Sequence, residues 1–254
     1  MPDPYSEAPR PDQRTRLDFE AAEAALLNSP DLQMLGLLMG SSNGTFLVRA
    51  SGASPDPFLA VYKPASGESP LWDFPTGSLY KREVAAYRLS RALGWPLVPP
   101  TVARPQGPHG VGALQLLIDA DPDTHYFNLI DPEPQTWSTV AAFDFLINNA
   151  DRKAGHCLTD AQGNCWLIDH GLTFHVEPKL RTVIWEFSGQ ALPDTARDDM
   201  ARVARQLRRS EIELSDFLSK EEIEALLGRF ERALAPDWRF PAPTSGWSVP
   251  WPPV

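Results

Sequence analysis

Cysteine is nearly absent from this chain: Cys157 and Cys165 are the only two among 254 residues. Two are too few for a disulfide scaffold. They flank an apparent hairpin and could face each other across its strands, and reduced core residues are the expected state. Positive charge is also scarce. Lys and Arg number 23 against 33 Asp and Glu, for a net charge of -10. Such an excess of acid repels phosphate backbones and anionic lipid surfaces, which argues against nucleic acid as a partner. No apolar run is long enough to cross a bilayer. Met1 to Arg16 is polar and Pro-containing, lacks the apolar centre of a signal peptide, and is expected to be disordered. A cytoplasmic location is the default that follows. Apolar residues, by contrast, make up 43% of the chain, enough for a substantial core.

The first half reads as strand-rich with little helix. Leu17 to Leu27 has helical spacing and stops at Asn28-Ser29-Pro30. A strand through Leu35, Leu37 and Met39 leads to the small polar cluster Gly40-Ser41-Ser42-Asn43-Gly44, then to a second strand at Thr45–Val48. Ser51 to Pro57 is a loop, and Phe58–Lys63 is a third strand. Tyr80 to Leu93 carries the clearest helical pattern of this half, closed by Gly94. Short strands are predicted near Leu97–Val102 and Gly112–Ile118. The second half opens, after a junction near Asp119 to Pro122, with a buried type of helix from Thr136 to Asn148. A polar loop from Asn149 to His156 follows. Cys157–Thr159 and Cys165–Ile168 then flank the turn Asp160–Asn164. Helices are predicted over Asp194–Arg209 and Ser219–Leu234, the latter opened by a capping box. Pro236 to Val254 is a tail rich in Pro and Trp.

Three polar groups converge in the second half. A hairpin returns its ends to one place. His156 precedes its first strand and Asp169 closes its second, so the two should lie side by side, with Asp151 in the loop feeding the same end. Phosphoryl transfer needs this kind of set: groups that hold a divalent ion against phosphates, and a carboxylate near the attacking hydroxyl. In the first half, Lys63 shares a strand face with Leu59 and Val61. A lysine so placed needs an anion, and Glu83 near the start of the next helix is the natural one. Structural zinc is disfavoured, because His156, Cys157, Cys165, His170 and His175 lack the paired spacings such sites use.

The segment Asn149-Ala150-Asp151-Arg152-Lys153-Ala154-Gly155-His156 resembles the catalytic loop of phosphatidylinositol 3- and 4-kinases and HipA-type kinases. Leu167-Ile168-Asp169-His170-Gly171 is similar to their metal-binding Asp-Phe-Gly element, and Ser41-Ser42-Asn43-Gly44 to their phosphate-covering loop. The likeness spans roughly Gly40 to Phe174 and is nearest to a bacterial group of kinase-like proteins without an assigned substrate. It implies an α+β, two-lobed protein-kinase-like fold in a single catalytic domain, with a β-rich N-lobe over about 17–118 and a mainly helical C-lobe over about 119–240.

It further implies ATP with Mg²⁺ or Mn²⁺, held in a cleft between the lobes. Asp151 is then the catalytic base, Asp169 the principal metal ligand, and Lys63 and Glu83 position the phosphates. Ser42, Asn43 and Gly44 meet phosphate, and Leu116 and Ile118 meet adenine. His156 stands where these kinases carry a metal-binding Asn, a departure that shifts preference toward Mn²⁺. The implied reaction moves the γ-phosphate to a hydroxyl of a protein, small molecule or lipid. The alternative is a nucleotide-binding pseudokinase with a regulatory role. Leu180 to Leu192, with Lys179 and Arg181, occupies the place of an activation and substrate segment.

Overall fold

The structure, a computed structural model, describes residues 18–38, 43–51, 58–121, 123–128 and 134–254. Met1–Arg16, Leu17, Met39 to Ser42, most of the Ser51–Pro57 loop and Pro122 at the expected junction lie outside the described residues. The chain divides into two compact units. The first comprises residues 1–84 and 99–118, and the second comprises 85–98 and 119–254.

The first unit is built on five antiparallel strands: β1 (Leu32–Leu37), β2 (Phe46–Ala50), β3 (Phe58–Pro64), β4 (Thr101–Arg104) and β5 (Gly112–Leu116). Their order across the sheet is β1-β2-β3-β5-β4. Helix α1 (Phe19–Asn28) starts where the Asp18 carboxylate accepts from the Glu20 and Ala21 amides, at 3.0 and 3.1 Å. Its far end is fixed by Arg104 of β4, which donates to the carbonyls of Leu27 and Ser29 at 3.2 and 2.6 Å. One core results, from Leu26 of α1, Val48, Ala60, Tyr62, Val102 and Leu114.

Two strand expectations need correction. The strand read through Leu35, Leu37 and Met39 starts earlier, as β1 from Leu32 to Leu37, and its register against β2 slips between Met34 and Gly36, with Leu37 exposed and Met39 outside the described residues. The strand expected over Leu97–Val102 begins only at Thr101, since Pro99 and Pro100 have no N–H to donate to a ladder.

Helix α2 (Leu79–Leu93) contains the division between units and ends at Gly94, whose φ is 75°. The second unit continues with α3 (Pro134–Ile147), the hairpin β6 (Cys157–Thr159) and β7 (Cys165–Leu167), α4 (Asp194–Arg208) and α5 (Lys220–Leu234). The capping box of α5 is formed: Ser219 Oγ accepts from the Glu222 amide and Glu222 Oε2 from the Ser219 amide. The hairpin turn is tied by Asp160, whose carboxylate accepts from the Gln162 and Asn164 amides, the Asn164 side chain and the Trp166 indole. Burial pushes the Asp160 carboxyl up, but these bonds together hold it below its ordinary value. The cysteines do not face each other. Cys157 pairs with Leu167 and Cys165 with Thr159, and both thiols are free and buried. Burial pushes the Cys165 thiol up to about 12 and Cys157 higher still, so neither is a reactive thiolate.

Candidate active site

The loop from Asn149 to His156 is held at nearly every residue. Asn149 bonds back to α3, its side-chain amide donating to Asp144 Oδ1 at 2.9 Å. Its own Oδ1 accepts from the Asp151 amide at 3.0 Å. A second segment runs alongside: the Arg181 amide donates to the Asn149 carbonyl, the Arg152 amide to the Arg181 carbonyl, and the Val183 amide to the Arg152 carbonyl. Asp151 therefore projects from a backbone fixed on both sides.

Arg152 organises what lies beneath. It is fully buried, as is Asp144, and Nε and Nη2 grip that carboxylate at 3.0–3.1 Å. Nη1 donates to the carbonyls of His156 and Ile168 at 3.3 and 3.0 Å, and Nη2 lies 2.8 Å from His170 Nε2. A guanidinium has no acceptor, so His170 must present its Nε2 lone pair. One side chain thus ties the loop end at His156 to the strand end at Ile168. From sequence, Arg152 stands only as a member of the 149–156 motif and Asp144 only as a residue of the helix before it, neither with a role of its own. The available signal was an acid inside the apolar run Val140–Ile147, which requires a buried cation.

The hairpin brings His156 and Asp169 together. The Ile168 amide donates to the His156 carbonyl at 3.0 Å, and His156 Nε2 stands 3.4 Å from Asp169 Oδ2. Asp169 has φ 61°, in the left-handed region that costs a residue with a Cβ some strain. His156 Nδ1 faces the Lys153 amide at 3.4 Å. In a neutral ring with Nδ1 accepting, the proton sits on Nε2, toward Asp169. A divalent ion held through Nε2 would need the neutral ring to carry its proton on Nδ1 instead.

Among the described residues no group of three or more His, Cys, Asp and Glu side chains is placed to hold a metal. A pair of protein donors completed by phosphate oxygens and water is the usual arrangement for a nucleotide-borne divalent ion. His156 and Asp169 fit that role and do not make a self-sufficient metal cage.

Asp151 is about a quarter exposed, with Lys153 Nζ 3.6 Å from its Oδ2. Burial raises its carboxyl above the ordinary value, Lys153 and Arg181 pull it down, and Asp169 pushes it up, with a net rise. A raised pKa makes a carboxylate a better proton acceptor. Arg181 is thereby a neighbour of Asp151 that sequence alone had assigned only to a substrate segment.

In the first unit, Lys63 Nζ meets Glu83 Oε1, with the carboxylate side chain 3% exposed. Lys63 does share its face with Leu59 and Val61, but that face is the half-buried one. The main core lies under Ala60 and Tyr62 on the other side. Ser42 lies outside the described residues. Asn43 Oδ1 accepts from the Ser69 amide at 2.8 Å, and the Gly44 amide donates to the Gly67 carbonyl at 2.7 Å. The Gly44 donor expected to face phosphate is thus engaged within the protein here. A Cβ on Gly67 would stand 2.7 Å from the Gly44 carbonyl oxygen, so close backbone approach explains that glycine. The Leu116 amide donates to Pro100 and that of Leu117 to Leu59, with Ile118 next along the chain.

No protein-family model matches the sequence. Protein Rv2133c of Mycobacterium tuberculosis is 36% identical over 266 residues, covering 91% of this chain and 95% of that protein. Among solved structures, the Golgi casein kinase with Mn/ADP bound aligns with TM-score 0.52 and 13% identity, over 85% of this chain and 74% of that one. The Helicobacter pylori proinflammatory kinase CtkA aligns with TM-score 0.51 and 14% identity, over 81% of this chain and 92% of that one. At such identity the likeness speaks to fold: an α+β kinase-like fold, with an antiparallel-sheet lobe and a helical lobe.

Proposed function

Given that the chain belongs to the family of the mycobacterial Protein Rv2133c, we propose that it is an ATP-dependent phosphotransferase. The observation that carries this reading is the hairpin closure, which sets His156 Nε2 3.4 Å from Asp169 Oδ2. Both stand on the framework that holds Asp151. The kinase-like fold and the Mn/ADP carried by one structural neighbour support it. The motifs at 149–156 and 167–171 favour a finer kinship with phosphatidylinositol 3- and 4-kinases and HipA.

In this reading Lys63, oriented by Glu83, holds nucleotide phosphate. His156 and Asp169 hold the divalent ion, whose part is to neutralise charge on the phosphates. Asp151 takes the proton from the acceptor hydroxyl as that oxygen bonds to the γ-phosphorus and the bond to ADP breaks. The loop at Asn43 and Gly44 approaches phosphate through groups other than the Gly44 amide, and Leu116 and Ile118 meet adenine. The acceptor is a hydroxyl of a protein, small molecule or lipid. The whole chain acts as one catalytic domain.

Saturating ATP with Mn²⁺ or Mg²⁺ is expected to raise the melting temperature, by linkage of binding to the native state. Lys63→Ala is expected to lose most of that rise while remaining folded. An unchanged melting temperature and no calorimetric heat with either metal would defeat the proposal.

A second outcome separates metals. Imidazole suits Mn²⁺ better than Mg²⁺, so His156→Asn is expected to raise Mg²⁺-supported ATP hydrolysis relative to Mn²⁺. Equal metal preference in the two proteins would remove His156 from the metal site.

A further inference from the structure

The segment 244–254 contains a single short turn, Gly246–Ser248, and buries few of its large side chains. Trp247 and Trp251 are 81% and 86% exposed. Polar bonds are what hold it. Ser248 Oγ accepts from the Thr244 and Ser245 amides and shapes the turn, at 3.1 and 3.3 Å. The Ser248 carbonyl accepts from the Thr182 amide at 3.0 Å and from the Trp185 indole at 3.3 Å. The Pro253 carbonyl accepts from the Ala154 amide at 2.7 Å. A Cβ on Gly155 would lie 4.0 Å from the Val254 backbone, so the contact continues past Ala154.

These attachments fall on two sides of one feature. Thr182 is bridged to Arg152, and Ala154 lies two residues further along the same loop. Ala154 is fully buried, and its carbonyl accepts from the Tyr126 amide at 3.1 Å. Its amide has the Pro253 carbonyl as partner. A buried amide is costly to leave without an acceptor, so a loop without this contact is expected to shift until the Ala154 amide meets water or another acceptor. Ala154 stands three residues after Asp151 and two before His156, and its displacement moves both.

We propose that residues 244–254 form a positioning strap for the Asp151–His156 loop, gripping it directly at Ala154 and through the adjoining segment at Thr182. Its catalytic consequence rests on the phosphotransferase reading; its hold on the loop does not. Truncation after Pro250 isolates the effect, because Trp251 and Val254 are exposed and little core is lost.

Hydrogen exchange on the full chain and on the truncated form is the test. The Ala154 amide is expected to exchange at least about tenfold faster after truncation, with amides of α4 and α5 unchanged. Misplacement by about 1 Å can cost ~100-fold in rate. The truncated form is therefore expected to lose at least about tenfold in kcat with KM for ATP unchanged. Trp185→Phe, which keeps a smaller aromatic ring and removes the indole donor to Ser248, is expected to speed exchange at Thr182. Unchanged exchange at Ala154 overturns the strap. Faster exchange there with kcat unaltered, or a general acceleration of all amides, reduces it to a structural tail and overturns the positioning role. Absence of turnover in the intact chain defeats the phosphotransferase reading instead, and the Ala154 exchange rate then decides the strap alone.

Discussion

Asp151→Asn is expected to abolish nearly all phosphotransfer while making the protein more heat-stable at pH 7. Loss of a general base lowers turnover by about 10²–10⁴-fold. The stability effect has an independent origin. Burial lifts the Asp151 carboxyl above its unfolded value, outweighing the attraction of Lys153 and Arg181. The folded state therefore disfavours the ionised form. That deficit is complete above the folded pKa, fades as pH falls through it, and vanishes below the unfolded value of about 4. The amide carries no such deficit, so the gain in melting temperature should shrink on acidification toward pH 4. Calorimetry across that range, beside a transfer assay at pH 7, checks both halves. A lower melting temperature for the variant at pH 7 contradicts the electrostatic account. Retained turnover contradicts the assignment of the base.

Arg152→Met should be among the most damaging single changes in the second unit. Removing one member of a fully buried ion pair typically costs about 3–5 kcal/mol, because the remaining charge has no solvent to turn to. Arg152 and Asp144 are both 0% exposed. Replacing both, as Arg152→Met with Asp144→Leu, is expected to recover more than half of the loss, since an apolar pair leaves no buried charge. Recovery should be incomplete. Arg152 also serves the carbonyls of His156 and Ile168, and the double variant leaves those bonds unmade. Urea unfolding of the four proteins in this cycle measures the coupling. A cost below about 1 kcal/mol for Arg152→Met would show that the pair does not behave as a buried one.

Much of this arrangement was legible in the sequence because it depends on short-range rules. The capping box at Ser219, the Gly94 stop and the return of Asp169 toward His156 follow from local patterns that packing did not override. The pairing of Lys63 with Glu83 was legible for a different reason: a half-buried lysine on a strand constrains what must lie near it. The slip at Met34–Gly36 was not legible, since a bulge leaves the same apolar letters on altered faces. Nor was the cysteine offset, which depends on the hairpin register rather than on either residue. The engagement of the Gly44 amide by Gly67 is a contact between two turns, 23 residues apart by number, and neither turn's composition announces it. The tail contact at Ala154 was hidden because it is made by backbone atoms, which every residue carries.

Position 169 brings shape and charge under separate selection. Its backbone lies at φ 61°, where glycine is at ease and Asn and Asp are the side chains most readily accommodated. A lineage drifting under the demand to fold alone could therefore exchange these three with little penalty, and a β-branched residue would be purged. Only a lineage that also needs a negative charge at the hairpin mouth would hold to aspartate. Descent at this one residue thus records whether the chemistry, and not merely the architecture, has been kept.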